Sequence, residues 1–372
     1  MKKTRDQIRN EALETVKPLK RSGLGISMGV GKTLIGLTHL DLVRKAIEKN
    51  FGRDVKALVV APKKSIFETW KAEAEKHGID DLTQYISFST YRSLIKQDLD
   101  YDVIYLDECH SLLYSHRSWL RAYKGIILGL TGTPPAVEQS EKGIMVNEFC
   151  PIVYTYITDD AVDDNILNDY KIVVHLLSLD SSPTILVKKG DRRWYSSELK
   201  DYTYWTDQYN NAIHRSERQK KSIQRMKAMQ TFPSKEEYAK RLLEQSQHKC
   251  LLFANTKAQA DKLCSHSYHS GNKNSKQNLE DFKTGAITKM SCVLQLNEGA
   301  NVPDLKESII MHAYGNERKT AQRIGRTLRL NPNDTAIINI LCYKDTVDER
   351  WVIQALRNFD ESKITWYDTE VF

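Results

Sequence analysis

Short, uninterrupted apolar runs alternate with longer segments of helical spacing through the first third of the chain. Ala57-Leu58-Val59-Val60-Ala61 and Val103-Ile104-Tyr105-Leu106 contain no polar position to alternate with, the pattern of strands covered on both faces of a parallel sheet. Tyr85–Ser89 and Gly125–Leu130 read as further strands. Between them, residues 5–20 (Ile8, Ala12, Leu13 and Val16 on one side), 34–47 and 66–76 carry the three-to-four-residue period of helices. The alternation lapses after Val137 and returns with a strand at Ile172–Leu177. Strands at 249–255, 291–296, 308–312 and 336–341 follow, with a helix at 257–264. Two such stretches predict two α/β domains, 1–169 and 170–372, each with a parallel sheet, and 372 residues suffice for two cores.

Residues 184–246 break this rhythm. They are aromatic (Trp194, Tyr195, Tyr202, Tyr204, Trp205, Tyr209) and then basic (Arg215, Arg218, Lys220, Lys221, Arg225, Lys227), and they read as two or three helices inserted into the second domain. Arg215, Arg218, Lys221 and Arg225 are spaced by three and four, along one broad helical face. Such a face can track nucleic acid or simply be solvated. The tail 346–372, with Trp351, Leu356 and Phe359 at helical spacing, is expected to form helix and pack back on the body.

Composition narrows the class. A chain with 40% hydrophobic and 28% charged residues is globular, and its net charge of +7 favours an anionic partner without naming one. The six cysteines form no C-x-x-C pair and sit mostly in apolar runs, so buried free thiols in a reducing cytoplasm are expected. The polar N-terminal segment has no signal-peptide core, and no apolar run reaches membrane-spanning length.

Candidate chemistry lies after the predicted strands. Gly23-Leu-Gly-Ile-Ser-Met28-Gly29-Val30-Gly31-Lys32-Thr33 runs into a helical segment. Small residues let backbone N–H groups wrap a phosphate at a helix N-terminus, with Lys32 reaching the β- and γ-phosphates and the Thr33 hydroxyl ligating Mg²⁺. Ile26 stands where the usual pattern has its leading glycine, and a Gly-rich turn before a core helix fits the same residues. Asp107-Glu108-Cys109-His110 directly follows a strand. Asp107 suits Mg²⁺ and Glu108 suits polarising an attacking water, although Asp-Glu is also common in surface turns. One strand later comes Thr131-Gly132-Thr133-Pro134-Pro135. Three matches in this order outweigh any one of them.

With these residues together, the chain resembles the superfamily 2 helicases and translocases, specifically the DExH-box group. In that comparison 29–33 is similar to motif I, 107–110 to motif II and 131–133 to motif III. Val60–Ser65 with Trp70 beyond it resembles motif Ia, and Ser89-Thr90-Tyr91 resembles motif Ib. Leu296-Asn297-Glu298-Gly299-Ala300-Asn301-Val302-Pro303 is similar to motif V of restriction-enzyme and excision-repair helicases, with Asn301 in place of the usual Asp. Gln322-Arg323-Ile324-Gly325-Arg326-Thr327-Leu328-Arg329 resembles a full motif VI.

The resemblance implies two tandem RecA-like domains with a helical insertion in the second. It also implies ATP and Mg²⁺ as cofactors. Gln7, residues 28–33, Glu298, Gly299 and Asn301 would serve the nucleotide; Asp107, Glu108, Gln322, Arg326 and Arg329 would serve catalysis. Lys63, Lys64, Ser89, Thr90, Tyr91, Asn255 and Thr256 would contact nucleic acid. The expected function is an ATP-dependent motor on duplex, forked or branched DNA, of a phage or bacterial type, with other replication, recombination or restriction proteins as further partners. A restriction-complex motor subunit, an RNA helicase and a non-hydrolysing nucleotide-gated clamp stand as alternatives.

Overall fold

A computed structural model of the protein describes residues 2–27, 29–135, 137–293, 302–313, 320, 323–324, 334–357 and 359–369. The chain divides into two units, the first running to Asn168 and the second beginning at Asp169.

In the first unit, α1 (Arg5–Val16) opens with a capping box, the Thr4 hydroxyl and the Gln7 amide each satisfying the other's backbone N–H. Then come β1 (Arg21–Ile26), α2 (Lys32–Phe51), β2 (Ala57–Ala61), α3 (Ser65–Lys76), β3 (Ile86–Thr90), β4 (Val103–Asp107), α4 (Arg117–Ala122), β5 (Ile126–Thr131), α5 (Glu141–Phe149), β6 (Ile152–Tyr156) and α6 (Thr158–Asp163). The strands form one sheet in the order β3-β2-β4-β5-β1-β6, and every pairing is parallel. All five residues of β2 and all five of β4 are buried, which is what their unbroken apolar runs predict. β1 and β6 are additions to the sequence reading. Gly23 and Gly25 belong to β1 rather than to a loop, and a Cβ at Gly23 would stand 2.4 Å from the Cys150 carbonyl oxygen. Glycine here marks close packing within a sheet, a signal easily taken for a turn.

The second unit contains β7 (Asp169–Leu177), β8 (Ile185–Lys189), β9 (Arg192–Ser196), α7 (Glu198–Asn210), α8 (Arg215–Gln230), α9 (Pro233–Gln245), β10 (Cys250–Ala254), α10 (Lys257–Leu263), β11 (Ser267–Tyr268), α11 (Ser275–Thr284), β12 (Lys289–Val293), β13 (Glu307–Ile310), β14 (Thr335–Tyr343), α12 (Val347–Leu356) and β15 (Ile364–Asp368). Its main sheet, β11-β12-β10-β13-β14-β7-β15, is also wholly parallel.

Two expectations need correction. The tail is not all helix: after α12 it returns as β15, which covers the edge of β7, because an open strand edge seeks a partner whatever the tail's helical spacing. The insertion begins not with a helix but with the antiparallel hairpin β8–β9, turned by Gly190 at φ 58° and Asp191. Helices α7 and α8 then pack on each other, and α9 joins the core through Ala239 and Leu243.

Charge is also buried in this unit. Lys235 and Asp348, each 1% exposed, form an ion pair, with Lys235 Nζ also 4.3 Å from the Tyr343 ring centre. Burial and the neighbouring Lys235 and Arg323 push the His312 imidazole far below its usual pKa. The cysteines are free thiols. Among the described residues no helix is long and apolar enough to cross a membrane.

Candidate functional site

Because the first sheet is parallel throughout, the segments that follow β1, β2, β3, β4 and β5 all leave from one edge, where ligands of such sheets bind. The segment after β1 turns on Gly29 (φ 90°) and Gly31 (φ 105°), backbone angles that a side chain would strain. It ends on α2, a 20-residue helix whose N-cap, Gly31, has no side chain with which to cap the first-turn amides. A long helix presenting uncapped N–H groups and its positive dipole end is an anion site. Lys32 starts that helix and donates its Nζ proton to the Ile26 carbonyl at 2.9 Å, holding the ammonium over the loop. Thr33 follows, half-buried. A cleft of about 420 Å³ opens beside these turns, lined by Arg9, Asn10 and Leu13 of α1 and by Leu34, Ile35 and Thr38 of α2.

Asp107 ends β4, 8% exposed. Glu108 follows in the left-handed region, at φ 51° and ψ 54°, uncommon and strained for a residue with a Cβ. Its carboxylate lies 3.3 Å from His110 Nδ1 and accepts from Thr131 Oγ at 3.4 Å. His110 Nδ1 and Thr131 Oγ are themselves 2.8 Å apart, and the Thr133 N–H donates to the same hydroxyl at 3.1 Å. The ends of β4 and β5 are thus joined through one buried polar network. His110 and Thr131 were legible as motif members, but their contact was not.

Trp70 and Tyr91 were missed as parts of this site. The Trp70 indole N–H donates to Asp107 Oδ2 at 2.8 Å, and the Tyr91 hydroxyl donates to the Asp107 carbonyl at 2.9 Å. Separations of 37 and 16 residues carry no local sequence signal for either bond.

Several predicted site residues have other work. Tyr91 is 6% exposed and Ser89 4%, so their side chains offer little surface to a nucleic acid, and Tyr91 packs in the core beneath the loop. Lys63 and Lys64 are exposed and Thr90 half-buried. The Gln7 side chain is engaged with the Thr4 N–H in the capping box. Thr256 caps α10 through its hydroxyl, and the Asn255 backbone N–H donates to Gln259 Oε1 at 3.0 Å.

The basic face of α8 turns largely toward α7. Arg225 is 5% exposed, its guanidinium 4.7 Å from the Tyr209 ring centre and 6.0 Å from that of Tyr202. Burial lowers its pKa from the usual arginine value. Lys221 donates to Gln208 Oε1 at 3.1 Å and lies 5.9 Å from the Trp205 ring centre. Arg218 reaches the Ala212 carbonyl and the Tyr209 ring, although it remains exposed like Arg215. Met28, Glu298, Gly299, Asn301, Gln322, Arg326 and Arg329 lie outside the described residues.

Comparison with known proteins agrees with this geometry. Residues 2–136 match the family model described as type III restriction enzyme, res subunit, and residues 234–331 match the helicase conserved C-terminal domain. The DNA 3'-5' translocase XPB2 of Sulfurisphaera tokodaii is 24% identical over 392 residues, covering 94% of this chain and 84% of that protein. The chain is a superfamily 2 helicase.

Solved structures share the helicase fold. A fragment assigned as the HsdR subunit of a type I restriction enzyme from Vibrio vulnificus aligns with a TM-score of 0.61 at 16% identity, over 98% of this chain and 67% of that one. The Hef helicase domain of Pyrococcus furiosus aligns with a TM-score of 0.53 at 16% identity, over 95% of this chain and all of that one. The two parallel sheets are tandem RecA-like domains, and the two family models with the translocase relative mark the chain as an ATP-hydrolysing helicase.

Proposed function

We propose that this helicase is an ATP-dependent DNA translocase whose nucleotide site is built on the edge of the first sheet described above. The carrying observation is that one edge of the parallel sheet carries a helix N-terminus with Lys32 and, after β4, Asp107 and Glu108, the latter tied to Thr131. The similarity to a protein named as a DNA 3'-5' translocase supports DNA as the track.

The residues present suit a hard divalent cation: the Thr33 hydroxyl and the Asp107 carboxylate are oxygen donors of the kind Mg²⁺ takes in small number alongside phosphates. When bound, Mg²⁺ neutralises charge on the phosphates. Lys32 and the α2 amides hold the phosphates, and the cleft between α1 and α2 receives the rest of the nucleotide. Glu108 orients the attacking water, and its hydrogen-bonded link to His110 and Thr131 fixes the carboxylate's direction. In this reading Arg326 and Arg329 supply positive charge during turnover, as their place in motif VI implies.

ATPase activity measured with single-stranded, duplex, forked and four-way DNA, with RNA as control, tests the reading. Stimulation by at least one DNA and not by RNA is expected; stimulation by RNA alone would overturn it. The match of residues 2–136 to a restriction-enzyme subunit favours one second reading, the motor part of a restriction-type complex. That reading requires a nuclease partner that co-purifies and cuts DNA only while ATP is hydrolysed.

A further inference from the structure

Arg323, inside the segment similar to motif VI, is fastened to the second sheet through a buried set of charges. None of its surface is exposed, and its guanidinium lies 5.2 Å from the Phe253 ring centre. Its Nη1 donates to the His312 carbonyl at 3.0 Å, and the Thr320 hydroxyl donates to the Ala313 carbonyl. Both bonds therefore end on the two residues that follow Met311, just past β13. Arg326 and Arg329 come three and six residues after Arg323 in the sequence.

The His312 side chain meets the Lys235–Asp348 ion pair. Lys235, in the first turn of α9, brings its Nζ to 3.4 Å from His312 Nδ1. Asp348, in the first turn of α12, accepts the Tyr343 N–H at 3.2 Å on the same oxygen that holds Lys235.

This is a poor device for stability alone. Apolar side chains of similar volume in place of a buried ion pair are often as stable or more so. The cluster also keeps Asp348 Oδ1 and His312 Nε2 buried, with no hydrogen-bond partner among the described residues. Buried polar atoms are nearly always paired, so each exception asks for a reason. What the arrangement achieves is position: two helix starts hold His312, and the backbone of His312 seats Arg323.

We propose that Lys235 and Asp348 are positioning residues for ATP turnover, holding the end of β13 where it seats Arg323 and with it the segment whose sequence carries Arg326 and Arg329. This rests on the reading of motif VI as a supplier of positive charge during turnover. Charge aimed at the transition state acts on turnover more than on affinity.

The test compares kcat with nucleotide affinity in the full chain, using the DNA that stimulates turnover most. Lys235→Met with Asp348→Leu removes both charges and leaves neither unpaired, so a melting temperature close to that of the wild type is expected. In this double variant kcat should fall about tenfold or more, since a displacement of about 1 Å can cost a hundredfold. The Kd of a non-hydrolysable ATP analogue should stay within about twofold. The same pair of substitutions is then made together with Arg329→Ala. Residues that act as a unit do not add, so there the pair should cost less than about twofold.

Wild-type kcat in the folded double variant would overturn the proposal. So would an equal loss with and without Arg329, which would mark the pair as merely structural. If the double variant does not fold, Arg323→Met decides alone: it leaves the ion pair in place and removes the donor to His312, and wild-type turnover there would overturn the seat. Near-normal turnover in Arg329→Ala would instead bring down the reading of motif VI, which separates that failure from a failure of the positioning.

Discussion

Glu108 occupies a left-handed backbone conformation that costs about 1–3 kcal/mol for a residue with a side chain, and it does so beside a hydroxyl and an imidazole that aim its carboxylate. The strain has a use if that carboxylate directs water. Glu108→Gln should therefore bind ATP and stall, whereas Lys32→Ala should weaken nucleotide binding itself. Nucleotide titration and single-turnover hydrolysis of both variants check this, and wild-type turnover in Glu108→Gln would remove it from the chemistry.

His39 sets a pH limit on the same unit. Its imidazole, 2.9 Å from the Tyr105 hydroxyl, is pushed by burial from 6.5 down to about 4. The unfolded chain takes up the proton more readily, so the stability of the neutral form is complete above pH 6.5 and is lost as pH falls toward 4, by up to about 3 kcal/mol. Denaturant midpoints should fall across that window, and His39→Leu should flatten the slope.

At the level of elements, α8 shows how a basic face can be a packing face. Arg, Lys, Tyr and Trp all pair long apolar surface with a polar tip, so α7 and α8 can bury ring against guanidinium without expelling either charge entirely. Arg225→Ala should cost about 2 kcal/mol of stability through lost cation–π contact, with little change in DNA affinity. The hairpin β8–β9 is the more exposed basic element. Pairing places Lys188 opposite Arg193 and Leu186 opposite Tyr195, so these four side chains share one face, with Tyr195 65% exposed. If this face meets DNA, Lys188→Ala and Arg193→Ala together should flatten the salt dependence of binding by about two units. Superimposable slopes in a salt series would place the contact elsewhere.

For the whole molecule, the expected division of labour is between a first unit that holds nucleotide and a second that supplies motif VI. Arg329→Ala should reduce ATP turnover by roughly three orders of magnitude, the lower end of an arginine finger's contribution, with a much smaller loss in nucleotide affinity. Steady-state ATPase and equilibrium binding on the same preparation separate the two. Near-normal turnover would mean that the second unit does not take part in the chemistry.

Much of the first unit was legible because its signals are local. A strand covered on both faces reads as an unbroken apolar run, and a phosphate loop must place glycines, Lys32 and Thr33 within a few residues of one another. Asp107 and Glu108 stand out because one ends β4 and the other follows it at once. The tertiary structure alone decided the rest. Spacing shows that one face of α8 is special but not whether it sees water, phosphate or Tyr209. The edge of β7 that recruits β15 exists only after the second sheet has formed. Trp70 and Tyr91 reach Asp107 through space, along a parallel sheet that sets neighbouring strand ends side by side however far apart they lie in the chain.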